Sequence, residues 1–149
     1  MIIAIDFDGT CVTDEFPKIG KDIGAVPVLR KLVEHGHKLI LWTVRSNKKE
    51  CSTSDPNIHP VPGEYLSEAV QWFKDNGIDL YGINENPDQK TWSDSPKAFA
   101  DIYIDDRLIG APTIFDPNYS NKLFIDWDTI DTFLDYIYNA YNEKFPEKP

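Results

Sequence analysis

Short apolar runs alternate with amphipathic stretches along the chain, and this alternation predicts the order of strands and helices. Residues 2–5 (IIAI) are predicted to be a buried strand, and residues 38–44 (KLILWTV) are predicted to be the second strand. Between them, residues 24–35 carry apolar side chains at helical spacing and are followed by Gly36, a residue typical of helix ends. A strand, a helix and a second strand in this order predict a right-handed crossover between parallel strands.

The same alternation continues through the rest of the sequence. The further predicted strands are 78–83, 100–105 and, as a candidate fifth strand, 122–125. The further predicted helices are 63–76 and 127–145, with a short helical turn from about Ser95. Residues 45–63 are polar and contain three prolines, so they are predicted to form a long loop. The pattern favours an α/β fold with a parallel sheet, and 149 residues fit a single domain spanning residues 1–149.

Composition narrows the classes of partner. The chain has 25 acidic and 15 basic residues, and its formal net charge of -10 repels nucleic acid and anionic membrane surfaces, so neither is an expected partner. No apolar stretch approaches the length of about 18 residues that a membrane span requires, and the first apolar run is too short for a signal peptide. With only two cysteines in addition, we expect a cytoplasmic protein.

Two carboxylates directly follow the first predicted strand. Asp6 and Asp8 are two residues apart, so they face the same side of an extended chain. Two unit charges about 4 Å apart repel by roughly 4 kcal/mol at an effective dielectric of about 20, so such a pair needs a cation or a shared proton. Gly9 comes next, and a glycine directly after a strand lets the chain turn sharply and present the N–H groups of Gly9 and Thr10 to an anion.

A second acidic pair, Asp105 and Asp106, follows the fourth predicted strand. In an open parallel sheet, ligands bind beyond the carboxyl ends of the strands. If strands one and four are neighbours, the four carboxylates meet at one place and require a hard cation. Oxygen ligands of this kind suit Mg²⁺, which keeps several waters and shares phosphate oxygens of a substrate.

Four short motifs occur in an order that resembles the haloacid dehalogenase superfamily. They are DFDGT at residues 6–10, LWTVR with Thr43, SPKAF with Lys97, and IDDR at residues 104–107. Within that superfamily, the chain is most similar to the small phosphatase-like members that lack a cap domain. The resemblance implies a three-layer Rossmann-like fold without a cap, in which helices cover both faces of a parallel sheet with the strand order 5-4-1-2-3.

The resemblance also implies the roles of individual residues. Asp6 would attack phosphorus and form an aspartyl phosphate, and Asp8 would protonate the leaving oxygen and later accept a proton from water. Thr43 and Lys97 would bind the phosphate. The Mg²⁺ ligands implied in this way are Asp6, Asp8 through its backbone carbonyl, Asp105 and Asp106. The sequence does not decide which of the last two contacts the ion directly.

Arg45 and the long loop are the remaining candidates near this site. Arg45 lies two residues after Thr43 and points to the same side of an extended chain, where it would form either a contact with substrate or a surface salt bridge. The gaps between the motifs have no room for an inserted cap, so we expect an open site with the 45–63 loop as a candidate lid. The phosphorylated substrate is then a macromolecule, or a small molecule enclosed by this loop or by another subunit of a homo-oligomer.

Three functional hypotheses fit these residues. The leading one is a Mg²⁺-dependent phosphohydrolase that cleaves phosphomonoesters through Asp6. The second is a non-catalytic regulatory module that binds metal and phosphate without turnover. The third is a phosphoacceptor domain of the response-regulator type, which also uses acidic residues, a Thr and a Lys on a doubly wound sheet. In that type the Lys comes last, whereas Lys97 precedes the pair Asp105 and Asp106 here.

Overall fold

The computed structural model describes residues 1–49 and 62–144. The strands in these ranges are β1 (Ile2–Ile5), β2 (Lys38–Leu41), β3 (Asn47–Lys48), β4 (Gly63–Glu64), β5 (Gly82–Ile83), β6 (Ile102–Ile104), β7 (Thr113–Ile114) and β8 (Phe124–Ile125). The helices are α1 (Ala25–Glu34), α2 (Tyr65–Asp75) and α3 (Trp127–Lys144), and a short 3-10 turn spans Gln89–Thr91. Within the described ranges, no helix has both the length and the apolar character needed to cross a membrane.

A four-stranded parallel sheet forms the centre of this α/β fold, with the strand order β5-β2-β1-β6. β1 pairs with β2 on one side and with β6 on the other, so that Ile5 lies opposite both Leu41 and Ile104. The first and fourth predicted strands are therefore neighbours. Because all these strands run in the same direction, the residues that follow β1 and β6 emerge at the same edge of the sheet.

The two faces of the sheet are covered differently. Ile3 and Ile5 face a core that contains the buried side chains of α1, α2 and α3. Their neighbours in sequence face the opposite side, where Ala4 and Ile40 form a smaller apolar cluster with Ala100. Segment 84–100 lies against this second face, since it hydrogen-bonds to two tyrosines there. The prediction of helices on both faces is therefore not confirmed for the described part of the chain.

The candidate fifth strand does not join the central sheet. Phe124 and Ile125 form β8, which pairs antiparallel with β7 in a separate two-stranded sheet. The N–H of Ile125 donates to the carbonyl of Gly9 at 2.9 Å, so this segment packs beside the turn that follows β1. The predicted five-strand order is not confirmed, because the central sheet contains the four strands predicted first and β8 bonds elsewhere.

The segment predicted as a loop at 45–63 is described only at its two ends, and the lid prediction falls mainly on residues 50–61, which lie outside the described ranges. At the ends, β3 pairs antiparallel with β4. The side-chain oxygen of Asn47 accepts the N–H groups of Leu66 and Ser67, both at 3.1 Å. Because the first N–H groups of a helix lack partners within it, Asn47 satisfies two of them in α2 and ties β3 to that helix.

Candidate functional site

Three carboxylates meet at the edge of the sheet where β1 and β6 end. Asp6 follows β1, and Asp105 and Asp106 follow β6. Each of the three offers a carboxylate oxygen, and these oxygens all lie within 4.8 Å of one another. The N–H of Asp6 donates to the carbonyl of Ile104 at 3.0 Å, which continues the pairing of β1 and β6 up to the acidic residues. We call Asp6, Asp105 and Asp106 the acidic cluster.

The acidic cluster is electrostatically unfavourable without a cation. Burial raises the pKa of Asp6 to about 7, with smaller contributions in the same direction from the negative charges of Asp105 and Asp106, and a hydrogen bond from the backbone of Phe7 opposes the rise. Burial also raises the pKa of Asp106, against the opposing effect of the Arg107 guanidinium. The cluster therefore holds negative charge that a bound cation would stabilise.

Thr10 links the loops that follow β1 and β6. Its hydroxyl oxygen accepts the N–H of Asp106 at 3.1 Å and lies 3.4 Å from a carboxylate oxygen of Asp6. Its carbonyl accepts the indole N–H of Trp127 at 2.7 Å. Thr10 is fully buried, so these contacts fix its position. The sequence indicated Thr10 as a phosphate-binding residue, but it did not reveal this bridge or the contribution of Trp127.

Gly9 allows the chain to approach Asp106 closely. Its φ is +82°, and a Cβ atom at this position would lie 2.6 Å from a carboxylate oxygen of Asp106. The N–H of Gly9 donates to Val12 at 2.8 Å, and the N–H of Thr10 donates to Phe7 at 3.3 Å. The turn therefore uses both N–H groups that the sequence assigned to an anion. Position 9 requires glycine because the backbone has a positive φ there and because a Cβ atom would clash with Asp106.

The side chain of Asp8 is bound by Arg45 and is not part of the acidic cluster. The Nε and Nη2 atoms of Arg45 donate to the two carboxylate oxygens of Asp8, each at 2.7 Å. The Arg45 side chain is fully buried, while 16% of the Asp8 side chain is exposed. A surface salt bridge, one of the two roles that the sequence left open for Arg45, is therefore not what the structure shows, because the pair is buried and makes two contacts. The backbone carbonyl of Asp8 stays a predicted metal ligand.

Thr43 lies two residues after the end of β2, the strand that pairs with β1. The hydrogen bonds between β1 and β2 continue beyond the end of β2, because the N–H of Trp42 donates to the carbonyl of Ile5, the residue before Asp6, at 2.8 Å. The N–H of Thr43 donates to the side chain of Asn84 at 2.8 Å, and its hydroxyl oxygen accepts the N–H of Arg45 at 3.1 Å. The hydroxyl proton finds no acceptor among the described residues, so it is available to a ligand.

Lys97 is not brought to the acidic cluster. Its ammonium lies 5.1 Å from the centre of the Tyr103 ring, and within the described ranges no carboxylate lies close enough, 4.0 Å or less, to form an ion pair with it.

The backbone around Lys97 is held by Gln89, which is buried. The side-chain NH₂ group of Gln89 donates to the carbonyls of Ser95 and Lys97 at 3.0 and 2.9 Å. The side-chain oxygen of Gln89 accepts the N–H of Phe99 at 2.6 Å. No pattern in the sequence indicated Gln89.

Two cations near the cluster were also missed by sequence reasoning. The Nε atom of Arg107 lies 3.8 Å from a carboxylate oxygen of Asp106, and its Nη2 atom lies 3.5 Å from Asp14. Lys122 pairs with the same oxygen of Asp14 at 2.9 Å. Arg107 is the last residue of the IDDR motif, so its place beside two acidic residues could have indicated it. Lys122 had no comparable indication, because its partner is 108 positions away.

One solved structure extends this comparison beyond the chain itself. It is described as the structure of a conserved protein coded by a locus from Bacteroides thetaiotaomicron, and it is 33% identical to this chain with a TM-score of 0.66. The match covers 91% of this chain and 90% of that chain. The chain belongs to the family of this conserved protein. No family model and no curated protein matches this chain. The two proteins thus share their fold over nearly all of this chain.

The donor set of the acidic cluster fits a small divalent cation in this member of the family. Mg²⁺ takes six oxygen ligands at about 2.0–2.1 Å, so neighbouring ligands lie about 3 Å apart and opposite ligands about 4 Å apart. The three carboxylate oxygens lie within 4.8 Å of one another. They reach this geometry if side-chain rotation brings them closer by up to about 2 Å. Carboxylates are also the ligand type that hard cations select over nitrogen or sulfur. The residues present therefore fit a Mg²⁺ site.

Proposed function

We propose that the protein is a Mg²⁺-dependent phosphohydrolase of the haloacid dehalogenase type, which cleaves phosphomonoesters through an aspartyl phosphate on Asp6. The observation that carries the proposal is the acidic cluster, in which carboxylates from two neighbouring strands lie within 4.8 Å of one another. The order of the four motifs in the sequence supports the same conclusion. Carboxylates this close to one another repel when ionised, and a bound cation would relieve that repulsion.

Asp6, Asp105 and Asp106 would hold the cation, and the bound ion would neutralise part of the negative charge of the cluster and of the substrate phosphate. The carboxylate of Asp6 attacks phosphorus in line with the leaving oxygen. The hydroxyl of Thr43 donates to a phosphate oxygen. Lys97 adds positive charge to the phosphate once its side chain turns from the Tyr103 ring, where its ammonium rests at 5.1 Å from the ring centre.

Asp8 carries out proton transfer in both halves of this reaction. In the first half, it gives a proton to the leaving oxygen while the bond between phosphorus and that oxygen breaks. In the second half, it accepts a proton from the water that attacks the aspartyl phosphate, which releases inorganic phosphate and regenerates Asp6. Each half thus ends with Asp8 ready for the other.

We propose a Rossmann-like domain without a cap, because residues 11–24 contain no regular helix or strand and residues 84–101 contain one 3-10 turn. Such a site is open to solvent at the edge of the sheet. The phosphorylated substrate is then a macromolecule or a small molecule, and a homo-oligomer is one way to enclose the latter.

A second candidate function is a regulatory module that binds metal and phosphate without turnover. Two observations favour it. Both oxygens of Asp8 are bound by Arg45 at 2.7 Å, and Lys97 lies against Tyr103. Two groups that turnover requires thus have other partners in this structure.

Phosphate release distinguishes these two functions. The purified protein with Mg²⁺ is incubated with aryl, sugar, nucleotide and peptide phosphates, beside Asp6→Asn and the matched control Asp128→Asn on the exposed side of α3. The phosphohydrolase releases phosphate from at least one substrate, loses this activity with a chelator or with Asp6→Asn, and keeps it with Asp128→Asn. Mg²⁺-dependent phosphate binding without release on any substrate would favour the regulatory module. Release that Asp6→Asn leaves unchanged would contradict both.

A further inference from the structure

Arg45 is a charged side chain that is fully buried, and almost all of its donors already have partners. Its Nε and Nη2 atoms donate to Asp8, Nη2 also donates to the carbonyl of Lys18 at 2.8 Å, and Nη1 donates to the carbonyl of Pro17 at 3.3 Å. A guanidinium has five N–H groups, and these bonds use four of them. Little hydrogen-bonding capacity is left for a substrate.

Two aromatic rings lie close to the same guanidinium. Its central carbon lies 5.1 Å from the centre of the Phe7 ring and 5.2 Å from the centre of the Phe16 ring. Phe16 in turn contacts Tyr65, whose ring centre is 5.1 Å away. Arg45 is thus enclosed by the residue between Asp6 and Asp8 and by the segment before α1. A substrate phosphate would have to displace this packing to reach it.

We propose that Arg45 is a positioning residue that acts on the reaction through Asp8 and does not contact substrate. This inference rests on the proposed function, since it assigns Asp8 its role in proton transfer. The two bonds at 2.7 Å fix both the position and the plane of the Asp8 carboxylate, because rotation of the carboxylate breaks both of them. Each oxygen keeps a second lone pair, and its direction is set by the same contact.

The geometry connects Asp8 to two other parts of the site. The backbone N–H of Arg45 donates to the hydroxyl oxygen of Thr43 at 3.1 Å. The backbone of Arg45 thus also orients Thr43, the residue proposed to bind phosphate. The carbonyls of Pro17 and Lys18 anchor the guanidinium from the other side. Catalysis is sensitive to errors of about 1 Å in the placement of such groups. Arg45 therefore contacts both the proton-transfer group, through its guanidinium, and Thr43, through its backbone N–H.

The test compares turnover by the variants Arg45→Lys, Asp8→Asn and the double variant of both. Arg45→Lys keeps the positive charge but cannot make a two-point contact with a carboxylate. Each protein is assayed on an aryl phosphate with a good leaving group and on an alkyl phosphate with a poor one. Arg30→Lys is the matched control, because Arg30 is exposed and donates to the carbonyl of Asn76.

Arg45→Lys is expected to lower kcat about 10-fold to 100-fold with little change in KM, since general acid and base catalysis contributes about 10²-fold to 10⁴-fold. The ratio of its losses on the two substrates is expected to match that of Asp8→Asn. In the Asp8→Asn background, Arg45→Lys is expected to cost less than about 2-fold, because a residue that acts only through Asp8 has nothing left to position. Arg30→Lys is expected to stay at wild-type activity.

Three results would overturn the inference. The first is a raised KM with unchanged kcat, which indicates contact with substrate. The second is a full additional loss from Arg45→Lys in the Asp8→Asn background, which indicates a general structural role. The third is an inert wild-type protein, which removes the proposed function itself and is distinguished by the absence of any activity to compare. If Arg45→Lys does not fold, Asp8→Asn is compared with Asp8→Asn combined with Arg45→Met, which leaves no unpaired buried charge.

Discussion

The hydroxyl of Thr10 accepts the N–H of Asp106 at 3.1 Å, which joins the loop after β1 to the loop after β6. The same oxygen lies 3.4 Å from Asp6 and 3.5 Å from a carboxylate oxygen of Asp106. Two of the three members of the acidic cluster are thus held by one buried hydroxyl. The spacing between their carboxylates depends on this contact as well as on the pairing of the strands.

Thr10→Val tests this contact, because valine keeps the shape of the side chain and removes the hydroxyl. The partly buried N–H of Asp106 then loses its acceptor, and we expect the free energy of unfolding to fall by about 1–3 kcal/mol. We also expect weaker Mg²⁺ binding. Urea denaturation and calorimetric titration measure the two effects. Thr10→Ser restores the oxygen and is expected to recover both, and a Val variant that binds Mg²⁺ as tightly as wild type would contradict the account.

Gly9→Ala is expected to disrupt the acidic cluster. The new Cβ atom would lie 2.6 Å from a carboxylate oxygen of Asp106, so that carboxylate must move. Gly36→Ala is the matched control, because Gly36 has a similar φ of +79° and no atom within 4 Å of the added Cβ. Both variants are expected to lose about 1–2 kcal/mol from the positive φ, and only Gly9→Ala is expected to lose Mg²⁺ binding. Equal Mg²⁺ affinities in the two variants would argue against the clash.

The stability of the metal-free protein is expected to depend on the ionisation of Asp6. Its pKa in the folded state is raised from 3.8 to about 7, so folding favours the protonated acid. The corresponding stability is fully present below about pH 4 and is lost as the pH rises through 7, by no more than roughly 4 kcal/mol. Urea denaturation at pH 5 and pH 8 with a chelator measures the part of this loss that falls between the two pH values, in wild type and in Asp6→Asn.

Asp6→Asn is expected to show a smaller loss between these two pH values, since its amide does not ionise. Mg²⁺ is expected to restore wild-type stability at pH 8 and to have little effect on the variant. A wild-type protein that gains stability from pH 5 to pH 8 relative to Asp6→Asn would show that the sign of this effect is wrong.

Gln89 is expected to matter for stability although it lies outside the motifs. Gln89→Leu leaves the carbonyls of Ser95 and Lys97 and the N–H of Phe99 without their partner, and we expect the free energy of unfolding to fall by about 3 kcal/mol. Gln71→Leu is the control, because Gln71 is exposed on α2 and bonds Asp75. Its effect is expected to stay within about 0.5 kcal/mol. Similar losses from the two substitutions would contradict the role given to Gln89.

The sequence predicts the parts of the fold and the site that depend on local pattern. Asp6 and the pair Asp105 and Asp106 each end an apolar run, so their place at the ends of strands follows from the pattern alone. Their meeting depends on β1 and β6 being neighbours, which the pattern does not contain and the family resemblance supplied. The confirmed part is thus a parallel α/β sheet that brings together carboxylates from two strands.

The parts that the sequence did not predict depend on contacts between distant residues. Arg45 reaches Asp8 only because the segment at Pro17 and Lys18 folds against it, and nothing in the local pattern fixes that path. The second face of the sheet is covered by a segment that Gln89 holds through its side chain, and such a segment has no periodicity to detect. β8 was expected in the central sheet because a short apolar run predicts a strand but does not identify its partner.

Calorimetric titration with Mg²⁺ and with Mn²⁺ tests most directly whether the acidic cluster is a metal site on which phosphate transfer depends. The titration compares wild type with Asp6→Asn, Asp106→Asn and the control Asp128→Asn. The account predicts one ion bound per chain in wild type and in Asp128→Asn, with binding at least about 10-fold weaker in the two cluster variants. Absence of binding in wild type, or equal affinities in all four proteins, would contradict it.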